Sequence, residues 1–367
     1  MADVSIVNKT DNDIEVYIYR PKEQIMYQAV VLEPVVWTTE QNGSAGKLEF
    51  TILKFTDGDA KNQISFSEGA VVIFRYKGVE VFRGRVFQKS RDKEHHIACV
   101  AYDSLRYFKN KMCPRAFDFH IGTTTTKFLD MLCSAENNGF TKGEFEDSEQ
   151  LVTWNEVSPQ TLFDMLDEAS QQTIVADPKH KTYTLYDEGG KLYYKSQDSM
   201  KLDLYIDNES LEDFSYTSSI DDETYNRVFL YWGDDEGSTK TTKKTTSEER
   251  SAAGMYTYPE KDEDNPNIEA WGVLQLTEKI DSTAGDYKDK AQKLLEYHNQ
   301  KTRELTLQGV FGDTRVRAGS SVVVDLNLGD VAPKKYVFVL KARHTFENKF
   351  HTMDLDVELK IPVGGAV

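Results

Sequence analysis

The side chains able to do chemistry are plentiful in this chain but scattered. Acidic residues bunch in three runs, Asp221-Asp222-Glu223, Asp234-Asp235-Glu236 and Asp262-Glu263-Asp264. Hydrolysis of a glycosidic bond needs two carboxylates flanking one cleft, one of them held protonated. Adjacent acids in polar loops make solvated faces instead. Asp262-Glu263-Asp264-Asn265 matches a calcium-binding loop only loosely, since the required glycine and terminal glutamate are missing. Of seven histidines (His95, His96, His120, His180, His298, His344, His351), none forms the helical pair of a zinc protease, and there is no Cys-x-x-Cys. His344 and His351 flank the turn Glu347-Asn348-Lys349 and are placed to face each other across a hairpin. Such a pair is more often structural than metal-binding. Gly69, Gly189-Gly190, Gly309 and Gly312 fit neither a P-loop nor a dinucleotide fingerprint, and no Gly-x-Ser-x-Gly elbow occurs. No catalytic, cofactor-binding or metal-binding residue is assigned, and no cofactor is expected.

The elements that would have to position such residues are mostly strands. Ile14–Tyr19 and Lys47–Leu53 alternate apolar and polar residues, with Val35-Val36-Trp37-Thr38-Thr39 and the turn Asn42-Gly43-Ser44-Ala45-Gly46 between them. This is the pattern of a small barrel or sandwich. A helix is predicted over Thr123–Ala135, with threonines to cap it, and another from Ser158-Pro159 through Ala169. A hairpin follows, Thr182–Tyr186 and Lys191–Tyr194 around Asp187-Glu188-Gly189-Gly190. Strands resume from Leu211 to Trp232, a polar stretch runs from Gly233 to Gly254, and a helix is predicted over Asp286–Thr302.

One strand unit occurs twice. Glu68-Gly69-Ala70-Val71-Val72-Ile73-Phe74, Val81–Phe87 and His96–Ala101 are echoed by Ala318-Gly319-Ser320-Ser321-Val322-Val323-Val324, Tyr336–Ala342 and His351–Val357. Each copy has a glycine, an apolar strand, a variable connection, a strand around a phenylalanine (Phe82, Phe338) and an alternating third strand. Two unrelated meanders sharing glycine turns would be the bland alternative. Duplication points to a ring-forming building block rather than an enzyme.

The expected fold is therefore β-rich α+β, with two duplicated antiparallel barrels, an α/β insert domain and a helix-bearing excursion. The expected domains are 1–108 (first barrel), 109–205 (insert), 206–234 with 303–367 (second barrel) and 235–302 (excursion). At 367 residues the chain is long for one core. Its 39% hydrophobic and 11% aromatic content supports folded cores. A net charge of −17 argues against general nucleic-acid binding, which needs clustered Lys and Arg. No apolar run is long enough to span a bilayer, so membrane insertion is not expected. The N-terminus lacks the basic and apolar regions of a secretory signal, and Cys99, Cys113 and Cys133 read as reduced thiols of a cytoplasmic product.

Gly43–Phe50, Glu68–Val72, Val81–Phe87 and Ala101–Tyr107 resemble the baseplate hub proteins of contractile phage tails, above all those of PBSX-type prophages and phage-tail-like bacteriocins. The resemblance continues through Ser218–Asp221, Thr224–Val228, Trp271–Gln275, Arg317–Gly319, His344–Phe346 and His351–Leu355, in order along nearly the whole chain. It implies two tube-type barrels per chain and a homotrimer with six barrels around an axis. Such a ring adapts a six-fold tail tube above to a three-fold central spike below. The resemblance further implies LysM-type and other baseplate neighbours, assembly in the bacterial cytoplasm and release by lysis. A cell-wall hydrolase or wall-binding module, with Trp154 and Trp271 stacking on sugars, is the alternative from another class.

Overall fold

The computed structural model describes residues 5–7, 12–20, 24–41, 43–53, 66–94, 96–110, 122–134, 140–154, 160–177, 181–221, 223–232, 254–280, 287–329, 331, 334–347 and 349–359. The chain separates into two compact units, one of residues 1–174, 181–216 and 305–358, the other of 175–180, 217–304 and 359–367.

The larger unit begins with eight strands: β1 (Ser5–Val7), β2 (Ile14–Arg20), β3 (Ile25–Ala29), β4 (Val31–Glu40), β5 (Lys47–Ile52), β6 (Val71–Tyr76), β7 (Val79–Arg91) and β8 (Ile97–Tyr102). β6, β7 and β8 form an antiparallel meander, continued by β5 and β4 on one side and β2 on the other. β3 and β4 are one run broken only at Val30. Its first half pairs with β2 and its second with β5, so the sheet returns on itself. Alternation explains the core: Leu48, Phe50 and Ile52 of β5 point inward, with Val72 and Phe74 of β6 and Trp37 of β4. The β6–β7 turn uses Lys77 (φ 49°) and Gly78 (φ 80°), both left-handed, as a two-residue hairpin requires.

Next come β9 (Thr123–Thr124), α1 (Thr125–Leu132), β10 (Lys142–Phe145), β11 (Leu151–Val152), α2 (Leu162–Ala176), β12 (Tyr183–Glu188) and β13 (Lys191–Ser196). The Thr124 hydroxyl accepts from the Lys127 N–H and caps α1 (3.3 Å). The predicted Ser158-Pro159 opening of α2 lies outside the described residues. The cap observed is Thr161, whose hydroxyl accepts from the Asp164 N–H (3.1 Å), while its own N–H donates to the Asp164 carboxylate (3.0 Å). Phe128, Leu129, Trp154, Leu162 and Tyr194 share one core here.

The chain then adds β14 (Lys201–Ile206) and β15 (Asp213–Ser219). The smaller unit holds β16 (Arg227–Trp232), β17 (Gly254–Tyr258), α3 (Pro266–Trp271), β18 (Gln275–Lys279) and α4 (Tyr287–His298). β16 is its central strand, antiparallel to β17 and parallel to β18, and Val228 and Leu230 pack on Ala291, Leu294 and Leu295 of α4. The fully buried Asn226 ties this unit together. Its amide donates to the carbonyls of Asn267 (3.2 Å) and Gly272 (2.7 Å) and accepts from the Leu274 N–H (2.8 Å).

The last strands are β19 (Thr302–Phe311), β20 (Ser321–Asp325), β21 (Lys334–Glu347) and β22 (Phe350–Glu358). β20, β21 and β22 form a second antiparallel meander, followed across the sheet by β19 and then β15. β14 pairs parallel with β20. Residues 201–219 thus run from one side of this meander to the other, as β3 and β4 do around the first.

The two meanders share their backbone hydrogen bonds. Gly69 N–H donates to Val86 C=O (2.7 Å), Val86 N–H to Ala70 C=O (3.0 Å) and Ala70 N–H to Ser67 C=O (3.2 Å). Gly319 N–H donates to Val339 C=O (2.8 Å), Val339 N–H to Ser320 C=O (2.9 Å) and Ser320 N–H to Arg317 C=O (3.1 Å). Both glycines are left-handed, at φ 87° and 92°. Each middle strand then bulges at its next residue, Phe87 or Leu340. The structural counterpart of Val339 is therefore Val86, and the phenylalanines Phe82 and Phe338 do not correspond.

Candidate functional site

The structure gathers three polar clusters and one set of sheet edges. The first cluster joins the turn after β8 to β12. Asp103, which follows β8, accepts from the N–H of Gly46 (2.9 Å) and of Leu105 (3.0 Å). A Cβ on Gly46 would lie 2.4 Å from that carboxylate, so the turn needs glycine there. Asp187 of β12 accepts from the Ser104 hydroxyl and from the Gly190 N–H (2.9 Å). Arg317 donates to the Asp187 carbonyl (3.2 Å) and lies over the Tyr186 ring at 4.6 Å. Burial, together with the Asp187 charge, pushes the Asp103 carboxyl well up, opposed by the Gly46 and Leu105 N–H groups and by Arg317. Burial also raises Asp187. A cleft of about 310 Å³ lies beside Arg317, lined by Val79, Glu80, Tyr186, Glu188 and Arg315, but neither aspartate lines it. These acids hold turn amides and a hydroxyl, and so latch the turns together.

The second cluster is the histidine pair, which the hairpin brings together as expected. His344 Nε2–H donates to the Val316 carbonyl (3.0 Å), leaving Nδ1 to accept from His351 Nε2–H (2.9 Å). His344 is fully buried, stacked on Trp37 at 4.7 Å. Burial drives its pKa down to about 3, with the His351 ring adding to this, and drives His351 down to about 4. Two neutral rings, each with a fixed tautomer, close the strand ends.

The third cluster, Asp92, Glu94 and His96, has ligand-type atoms within 4.8 Å of one another in the exposed β7–β8 turn. The Asp92 carboxylate already accepts from the Glu94 N–H, the His96 N–H and the His96 ring (2.9, 2.9 and 2.8 Å).

Of the acidic runs, Asp262-Glu263-Asp264 forms an exposed helical turn in which Asp262 pairs with Arg227. Asp234-Asp235-Glu236 and Asp222 lie outside the described residues, as do His95, His120, His180 and Cys113. Trp154 is buried and donates to the Met165 carbonyl (3.1 Å), so it offers no sugar platform. Trp271 ends α3, half-buried. Burial pushes the Cys99 thiol up to about 12 and Cys133 to about 11, which makes both poor nucleophiles. Sequence reasoning missed Asp103, Asp187 and Arg317 as a group. The available signal was the coincidence of glycine turns with a nearby acid: Gly46 with Asp103, and Gly189-Gly190 with Asp187.

The sheet edges are the remaining feature. β4 is paired on both sides, by β5 and by Lys341–Phe346 of β21. β15 ends its sheet. Phe311 and Phe350, 74% and 75% exposed, sit at the same end of neighbouring strands, where Gly312 N–H donates to the His351 carbonyl (2.8 Å). Among the described residues no helix is long and apolar enough to cross a membrane.

The YQBQ-like family model matches residues 35–358. The chain belongs to the YQBQ-like family. It is 28% identical over 361 residues to the phage-like element PBSX protein XkdQ of Bacillus subtilis, covering 94% of this chain and 96% of that protein. Its fold is shared with the 43 kDa tail protein of prophage MuSo2 from Shewanella oneidensis (TM-score 0.61, 12% identity, 94% of this chain and 98% of that one). It is also shared with the prophage tail protein gp18 from Listeria monocytogenes (TM-score 0.58, 12% identity, 94% of each chain). This chain is thus built on a mostly antiparallel β architecture found also in prophage tail proteins.

Proposed function

We propose that this chain is a non-enzymatic baseplate hub of a contractile injection system, a trimeric ring between a six-fold tail tube and a three-fold central spike. The observation that carries the reading is the equivalence of the two meanders, down to three matching hydrogen bonds and a matching bulge. Two tube-type barrels per chain give a three-fold assembly six similar lobes, and closed rings of repeated patches are the ordinary symmetric solution. The division into 1–108, 109–205, 206–234 with 303–367, and 235–302 belongs to this proposal. So do the tube, spike and LysM-type partners and the baseplate as the site of action. The exposed Phe311 and Phe350 supply an apolar contact for a tube or spike partner, because exposed aromatic patches mark interaction sites.

Light scattering on the purified chain, followed by electron-microscope class averages, tests the reading. A trimer with six lobes around an opening is expected. A monomer at high concentration, even with tube and spike proteins added, would overturn it. Clearing of purified peptidoglycan in a zymogram would overturn the non-enzymatic part.

A further inference from the structure

The cleft of about 310 Å³ beside Arg317 has room for a small ligand, and its wall carries a cation with donors to spare. Val79 and Val81 of β7, with Met200 and Leu202 at the start of β14, make its apolar surface. Arg317 lies in the loop between β19 and β20, with only 10% of its side chain exposed. Its guanidinium lies over the Tyr186 ring at 4.6 Å and the Trp37 ring at 5.7 Å, contacts that fix its plane. Nη1–H donates to the Asp187 carbonyl (3.2 Å). Nη2 stands 3.7 Å from the Glu188 carboxylate, beyond hydrogen-bond reach. Among the described residues, Nε and Nη2 therefore have no hydrogen-bond acceptor.

The other charges around the cleft are matched. Arg83 holds both carboxylate oxygens of Glu80 (2.7 and 2.8 Å). Arg315 holds Asp313 (2.7 Å) and Asp203 (3.0 Å). Glu188, its side chain 57% exposed, is thus a loose partner for an under-bonded cation.

We propose that this cleft binds a monocarboxylate on an apolar body, with its oxygens on Nε and Nη2 of Arg317 and its hydrocarbon against Val79, Val81, Met200 and Leu202. The planar edge of a guanidinium matches a carboxylate in a two-point contact, and stacking on Tyr186 leaves that edge free. The guest takes the place that Glu188 now keeps, one negative charge for another. A phosphate dianion fits worse, because it would face Glu80 and Glu188 with Arg317 alone to balance it. A free organic acid and the C-terminus of a partner chain both present this chemistry. The site stands apart from the ring reading.

Calorimetric titration of the full chain tests it with four probes: N-acetyl-L-leucine, its uncharged amide, acetylated Gly-Ala-Leu with a free C-terminus, and inorganic phosphate. The acid should bind saturably and about tenfold more tightly than the amide or phosphate, the worth of a charge-assisted pair. Glu188→Gln removes the competing carboxylate and should tighten acid binding severalfold. Val79→Asp puts a charge on the apolar wall and should weaken it about tenfold. Arg317→Lys keeps the charge but loses the fork, and should abolish the preference for acid over amide. Circular dichroism reports whether that variant folds, and the two variants at exposed side chains carry the test if it does not. Tighter binding of the tripeptide than of acetyl-leucine would support the site with a partner's C-terminus as occupant, and equal binding would support it with a small free acid. No saturable heat, equal affinity for acid and amide, tightest binding by phosphate, or acid binding indifferent to Glu188→Gln and Val79→Asp would each overturn it.

Discussion

The two meanders use one backbone device in different surroundings, and the difference follows from what covers each. Where β4 lies over β21, the inward positions of that strand are Ala342, His344 and Phe346, all buried. Where no described strand lies against the second edge of Gln88–Arg91, at the end of β7, the corresponding positions are Lys89, Arg91 and, just beyond the strand, Lys93. Gly69 faces open space, whereas the side chain of Thr184 is packed against Gly319. Backbone geometry is thus set by glycine, valine and a bulge, while side-chain identity records whether an edge is paired.

The largest expected effect comes from breaking the covered edge. Trp37→Ala should destabilise the protein by about 3–5 kcal/mol, because Trp37 is buried and stacks on His344. Guanidinium titration would read this as a lower midpoint. A loss under about 1 kcal/mol would mean that β4 contributes little to the second meander.

Acid should expose the same asymmetry. His344 and His351 are neutral when folded, at about 3 and about 4, against an ordinary 6.5. The unfolded chain therefore takes up protons first, and stability present above pH 6.5 is lost as pH falls toward 4. Each tenfold preference for the neutral ring is about 1.4 kcal/mol, so a total on the order of 3 kcal/mol is expected after allowing for relaxation. Urea titrations from pH 7.5 to 4 should show this slope, reduced in a His344→Gln, His351→Gln double variant. An unchanged slope would assign it elsewhere.

The paired glycines sharpen the comparison further. Gly69→Ala should cost about 1 kcal/mol, the backbone penalty of a left-handed alanine. Gly319→Ala should cost at least twice that, because its Cβ would fall 2.4–2.6 Å from Thr184 side-chain atoms. Equal losses in thermal melts would deny the difference in packing. The smallest effect belongs to Phe311→Ser with Phe350→Ser, which should change folding stability by less than about 0.5 kcal/mol while weakening binding to a tube or spike partner in a pull-down.

Much was legible from local chemistry. Period-2 alternation marked β5, the left-handed glycines Gly189 and Gly190 marked the β12–β13 turn, and the threonine before α1 marked its cap. The facing of His344 and His351 followed from a short hairpin. Register was harder to read. Matching Phe82 to Phe338 was reasonable from residue type, but the connections differ in length, and only hydrogen bonds fix Val86 against Val339. The Asp103–Asp187 latch joins residues far apart in sequence, where no periodicity reaches.

The sequence by itself determined that this chain would be β-rich, because alternation and turn glycines are local properties. Only the tertiary structure decided which edges are paired, which acids are consumed by backbone amides and that one histidine sits fully buried under Trp37. Those outcomes depend on which distant strands become neighbours, and burial sets the cost of every charge only after they have met.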